Sequence, residues 1–79
     1  MTDADVLLKR ITIDPEVLGG KPLVRGHRMA VEHVLAYLAA GQTFESLLEG
    51  FPWMEREDIL ACLEYASRAL AAEEVVPVG

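Results

Sequence analysis

Asp14-Pro15-Glu16-Val17-Leu18-Gly19-Gly20-Lys21-Pro22-Leu23-Val24-Arg25-Gly26-His27-Arg28 decides how this chain is read. The stretch holds half of the four prolines, half of the six glycines and three of the seven Lys/Arg residues. Before it, Lys9-Arg10-Ile11-Thr12-Ile13 alternates apolar with polar, and Asp14-Pro15 stops the run, since proline biases its predecessor away from helix. Within it, Gly19-Gly20 supplies a turn at little steric cost. Pro22 cannot donate to a ladder, so its segment lies at an edge or in a loop. Leu23-Val24-Arg25 then reads as a second strand closed by Gly26. The stretch is a two-stranded ribbon. Alone, such a ribbon is marginal in water, so it must pack on helices or pair with another chain.

Beyond the ribbon the apolar period becomes helical. Val31, Val34, Leu35 and Leu38 fall at i, i+3, i+4 and i+7, and Gly41 stops that helix. Thr43 caps a short second helix carrying Phe44, Leu47, Leu48 and Phe51 at the same spacing, ended by Gly50 and Pro52. A third helix starts near Met54–Glu55 and runs to Ala71 or Ala72. Its expected inner face is Ile59, Cys62, Leu63, Ala66 and Leu70, and Glu55, Glu57 and Asp58 sit where the helix dipole favours acid. Residues 1–8 read as a lead-in in which Thr2 or Asp3 offers a cap for a short helical turn. The expected fold is therefore mainly α: a three-helix, helix-turn-helix-like bundle (30–72) behind an N-terminal β-ribbon (9–28), with a tail (73–79), all in one domain. Val75–Val78 in that tail offers a strand or a partner contact.

Seventy-nine residues, 52% of them hydrophobic, form a small packed domain rather than a disordered chain. So apolar a small chain points to self-association or a partner, because its own core contributes only about 3–5 kcal/mol. The net charge is -6 and unevenly placed: residues 29–79 carry two basic groups against nine acidic ones. Phosphate would be welcomed only in the amino-terminal third. The lone Cys62, on an apolar helical face, reads as a buried structural thiol, and no Cys/His cluster suggests zinc. No leader and no membrane-length apolar run is seen, so a cytoplasmic location with no membrane contact is expected.

Several chemistries fail on spacing. Gly20-Lys21 resembles a phosphate loop, but Pro22 stands where Ser or Thr is needed. His33 lies beside Glu32, but i, i+1 neighbours on a helix point apart, and neither His27 nor His33 is offered a nucleophile with an orienting partner, which argues against an enzyme; no cofactor is expected. The start of the third helix, Trp53-Met54-Glu55-Arg56-Glu57-Asp58, is too acidic for a major groove. If DNA is bound, Lys21, Arg25, His27 and Arg28 of the ribbon are the candidates, unless they hold the ribbon to the acidic helices instead. Trp53 reads either as a lid on the core or as an anchor for a partner.

Ile13-Asp14-Pro15, Gly19-Gly20-Lys21-Pro22, Arg25-Gly26-His27-Arg28, Val31, Gly41, Phe51-Pro52 and Glu57-Asp58-Ile59 together resemble the small bacterial family known as domain of unknown function 433, over about residues 10–72. The resemblance implies a helix-turn-helix-like fold behind a β-ribbon. It also implies an antitoxin encoded beside a toxin with a PIN-like nuclease fold, and it carries no enzymatic residues. The chain departs from the usual pattern at Ala30 (often proline), His27 (commonly Thr) and Glu55 (Thr or Ser). The first and last weaken helix starts without challenging the fold. The expected function is a non-catalytic, dimeric antitoxin of a toxin–antitoxin system that neutralises its PIN-like partner, with the ribbon building the dimer. The alternative is a dimeric transcriptional regulator gripping operator DNA through the basic ribbon.

Overall fold

The computed structural model describes residues 2–73, so the expectation placed on Val75–Val78 lies outside the described residues. In chain order the elements are α1 (Asp3–Leu8), β1 (Ile11–Ile13), a short 3₁₀ turn (Leu18–Gly20), β2 (Pro22–Val24), α2 (Val31–Ala39), α3 (Phe44–Gly50) and α4 (Arg56–Glu73). The architecture is mainly helical with an N-terminal antiparallel hairpin, as the periodicity predicts. The lead-in, however, is a helix in its own right. Thr2 and Asp5 form a reciprocal capping box: Thr2 Oγ1 accepts from the Asp5 amide at 3.2 Å, and Asp5 Oδ2 accepts from the Thr2 amide at 3.3 Å. A helix of six residues does not persist alone. Packing on α4 holds it, and Arg68 of α4 reaches Asp5 at 2.9 Å while also bonding Glu64 one turn earlier.

β1 and β2 pair with Ile11 opposite Val24, Thr12 opposite Leu23 and Ile13 opposite Pro22. Pro22 thus opens its strand, a place where a missing donor is tolerated. Past Val24 the chain turns through two successive left-handed residues, Arg25 (φ 45°) and Gly26 (φ 74°). The His27 amide closes this turn on the Val24 carbonyl at 2.9 Å. Positive φ at both central positions is the signature of a primed turn. Glycine takes it freely, whereas Arg25 is strained there and must be held by its side chain. The chain then runs back beside β2, with the Val24 amide on the Met29 carbonyl at 2.9 Å and Leu23 bridged to Ala30. One edge of β2 is therefore partly covered, and the outer edge of β1 has no partner strand among the described residues.

The core lies where the hairpin meets the helices. Val24, Met29, Val31, Val34, Leu47, Met54, Ile59 and Cys62 are buried together, and Ile11, Leu35, Phe51, Trp53 and Tyr65 pack around them. Burial pushes the Cys62 thiol up to about 12, so it stays protonated and packs as an apolar group. The inner face expected for the last helix needs correcting at two positions. Ile59 and Cys62 are fully buried, but Leu63 is 40% and Leu70 61% exposed. Leu63 sits one residue past Cys62, about 100° round the helix, and Leu70 lies on turns that run past the core.

Ile59→Ala is expected to destabilise the fold by about 2–4 kcal/mol, and Leu63→Ala by less than about 1 kcal/mol. Urea denaturation of both variants checks the assignment; equal losses would return Leu63 to the core.

Candidate functional site

The ribbon meets α4 at Asp58, a carboxylate with no exposed surface. Its place follows from the helix start. Glu55 immediately precedes α4 and carries no hydroxyl cap, so the third helical residue reaches back: Asp58 Oδ2 accepts from the Glu55 amide at 2.8 Å. The same carboxylate faces the ribbon. Arg25 grips it through two parallel bonds, Nε to Oδ1 and Nη2 to Oδ2, both 2.8 Å. Arg10 Nη1 adds a third contact at 3.1 Å and bonds Glu55 at 2.7 Å. Arg25 Nη2 also donates to the Trp53 carbonyl at 2.8 Å. The arginines come from either side of the hairpin and are joined at the backbone, the Arg25 amide donating to the Arg10 carbonyl at 2.7 Å. No buried side-chain polar atom among the described residues lacks a partner.

The electrostatics follow from this geometry. Burial works to raise the Asp58 pKa, yet the Arg25 bonds, the Glu55 amide and Arg10 together hold it below the ordinary aspartate range. Hydrogen bonding to Asp58 raises Arg25, and bonds to Glu55 and Asp58 raise Arg10, so both stay charged. The bidentate fork is a contact that lysine cannot make.

An aromatic row runs outward from the clamp. The His27 ring stacks on Trp53 with centroids 3.8 Å apart and planes 10° from parallel. Phe51 lies 6.4 Å from Trp53, and Tyr37 lies 5.7 Å from Phe51. Arg25 Cζ stands 5.9 Å from the Trp53 ring. His27, Phe51 and Trp53 are half-buried and Tyr37 is exposed, so the row is both part of the fold and part of the surface.

Of the four ribbon residues expected to touch DNA or a partner, three make contacts within the chain, as does Trp53. Lys21 pairs with Glu32, Arg25 is clamped on Asp58, and His27 is stacked on Trp53. Arg28 is exposed, with no side-chain hydrogen bond or ion pair to the described residues. The structure brings Arg25, His27 and Trp53 together and leaves Lys21 on a separate face beside α2. Sequence reading missed Arg10 and Asp58. Their signal was an acid three residues after an uncapped helix start, together with an arginine on each arm of the ribbon. The departures from the family pattern are each compensated: His33 Nδ1 accepts the Ala30 amide at 3.4 Å, Asp58 caps behind Glu55, and His27 covers Trp53. Among the described residues no group of three or more His, Cys, Asp or Glu is placed to hold a metal, and no helix is long and apolar enough to cross a membrane.

Arg25→Ala strands a buried carboxylate. Arg25 and Arg10 are 34% and 28% exposed, so solvent screens part of the interaction. The expected loss is about 2–3 kcal/mol, below the range for a fully buried pair; Arg28→Ala should stay within about 0.5 kcal/mol. Chemical denaturation of the two variants separates these values. The depressed Asp58 pKa also sets a pH window. Its stabilisation is complete above the unfolded value near 4 and is lost as pH falls through the lower folded value. Denaturation midpoints should therefore fall below about pH 4 in the parent chain, and more gently in Asp58→Asn.

Comparison with known proteins places this geometry in a family. Residues 11–66 match the family described as "Protein of unknown function (DUF433)". A curated relative, the uncharacterized protein y4eO of Sinorhizobium fredii, is 43% identical over 56 residues, a match spanning 71% of this chain and 25% of that protein. The chain thus corresponds to about a quarter of that relative's length. The crystal structure of a DUF433 member from Anabaena variabilis superposes with a TM-score of 0.76 at 29% identity, covering 86% of this chain and 67% of that one. The matched segment runs from β1 into α4 and contains Arg25, Trp53 and Asp58. The chain belongs to the DUF433 family.

Proposed function

We propose that this chain is a non-catalytic, antitoxin-type binding module that engages a basic, PIN-like ribonuclease toxin. The observation that carries the reading is the partly exposed row Tyr37–Phe51–Trp53–His27, with exposed Glu49 at the end of α3 and exposed Glu57 at the start of α4, the two helices whose connection carries Phe51 and Trp53. Aromatic rings already fixed by packing lose little entropy on binding and make strong interface anchors. Acidic groups nearby steer a basic partner toward them and set the rate of encounter. The net charge of -6 supports the same polarity of partner. Trp53 is the central anchor, held from below by Arg25 through its carbonyl. Blocking the partner's active site requires occupancy alone, which fits a module without catalytic groups.

Operator DNA is the second reading. Arg28 supports it, being a guanidinium with no partner among the described residues. Lys21, Arg25 and His27 support it less, because each is engaged within the chain. Counterion release scales with the number of free cations, and on the ribbon only Lys9 and Arg28 are exposed without an ion pair to the described residues, which favours weak, non-specific contact.

Co-expression with the product of the adjacent reading frame tests the proposal. A stable complex is expected, and Tyr37→Ala or Trp53→Ala should weaken it at least tenfold, about 1.4 kcal/mol or more. Tyr37 is exposed, so its variant reads binding without disturbing the core. Glu49→Lys with Glu57→Lys should slow association, most visibly at low salt. Absence of any complex would sink the antitoxin reading. A gel shift with the upstream DNA that weakens steeply with salt and depends on Arg28 would favour the second one.

A further inference from the structure

The core-facing side of α4 does not end where its neighbours end. Asp58, Ile59 and Cys62 are covered by the hairpin and α2, but the same face continues through half-buried Ala66 and exposed Ala69, over which no element of the described residues is laid. The result is an open apolar groove of about 380 Å³. Tyr65, Ala66 and Ala69 form one wall, and Pro22, Val31 and Leu35 form the other. Leu70 stands at its mouth, 61% exposed, and Leu63 lies two turns earlier on α4, 40% exposed.

Two properties point to one occupant. The first is charge. The ionic groups lining the groove are Lys21 and Glu32, and these are paired with each other. Elsewhere the chain is strongly acidic, with a net charge of -6. A basic partner is drawn to unpaired acid, which this groove lacks. Two copies of the same acidic chain repel except through a face without net charge, and this is such a face. The second property is shape. A protruding leucine edge and an apolar hollow lie side by side on one helix. A two-fold rotation places each edge in the other copy's hollow, which is the requirement of an isologous interface. Ala66 and Ala69 leave room for a second helix to approach closely.

We infer that the groove is the interface of a homodimer, with Leu70 of one copy seated between α2 and α4 of the other. This interface is distinct from the open β1 edge and from the aromatic row. It requires no toxin, so the test below stands whether or not the antitoxin reading holds.

Sedimentation analysis of the full 79-residue chain gives the test. The parent is expected at dimer mass in the micromolar range. Leu70→Glu and Ala69→Glu each place a carboxylate in the buried interface and should weaken association at least about a hundredfold. Both positions are exposed in the single chain, so helical circular dichroism should be retained. Ile13→Lys, on the open strand edge, should remain dimeric. A parent chain that is monomeric at about 100 µM would overturn the inference. So would a dimer that survives both α4 substitutions, or one that dissociates only with Ile13→Lys.

Discussion

The structure depends on one buried carboxylate. Asp58 caps α4 from within its first turn, accepts the bidentate fork of Arg25, and receives Arg10 from the first arm of the hairpin. These tasks are coupled. A two-stranded ribbon of three-residue strands is too small to stand alone, and the clamp ties it to the longest helix. Arg25 in turn occupies a left-handed backbone position that its side-chain bonds must compensate. Remove the carboxylate and the turn, the helix start and the hairpin lose their common anchor.

That constraint bears on function. The ribbon carries the basic residues of an otherwise acidic chain, and from sequence it looks like a surface for phosphate. In the fold Arg10 and Arg25 turn inward to Asp58 and Lys21 pairs with Glu32 at the surface, which leaves Lys9 and Arg28 without an ion pair to the described residues. What the clamp presents instead is Trp53, its carbonyl fixed by Arg25 and its ring sandwiched with His27. The row beyond is aromatic, in a chain of net charge -6. This is why a protein partner, rather than nucleic acid, is the one we propose: the charged term that dominates nucleic-acid affinity has few free cations to draw on.

Much of the fold was legible in the residues. The change from strand to helical period at Val31, the Thr43 cap and the turn glycines located the hairpin, α2 and α3 within a residue or two. Three things were not legible, each for a physical reason. α1 has too few residues to show a period, and its stability comes from packing on α4 rather than from its own propensity. Leu63 and Leu70 fit a helical apolar spacing, but that spacing shows neither how wide the covered face is, which Leu63 oversteps, nor how far neighbouring elements extend, which leaves Leu70 uncovered. The clamp joins residues 33 and 48 positions apart. A single sequence shows that Arg10, Arg25 and Asp58 exist, not that they meet. For the same reason the ribbon's cations were readable either as DNA contacts or as internal ties.

Arg25 and Asp58 hold the ribbon to α4 only if the two are energetically coupled. A double-mutant cycle measures this directly: unfolding free energies of the parent, Arg25→Ala, Asp58→Ala and the double variant, by urea denaturation at neutral pH. A favourable coupling of about 1.5–3 kcal/mol is expected, so that the second substitution adds little once the first is made. Additive losses, with coupling near zero, would show that the clamp does not hold the ribbon to α4.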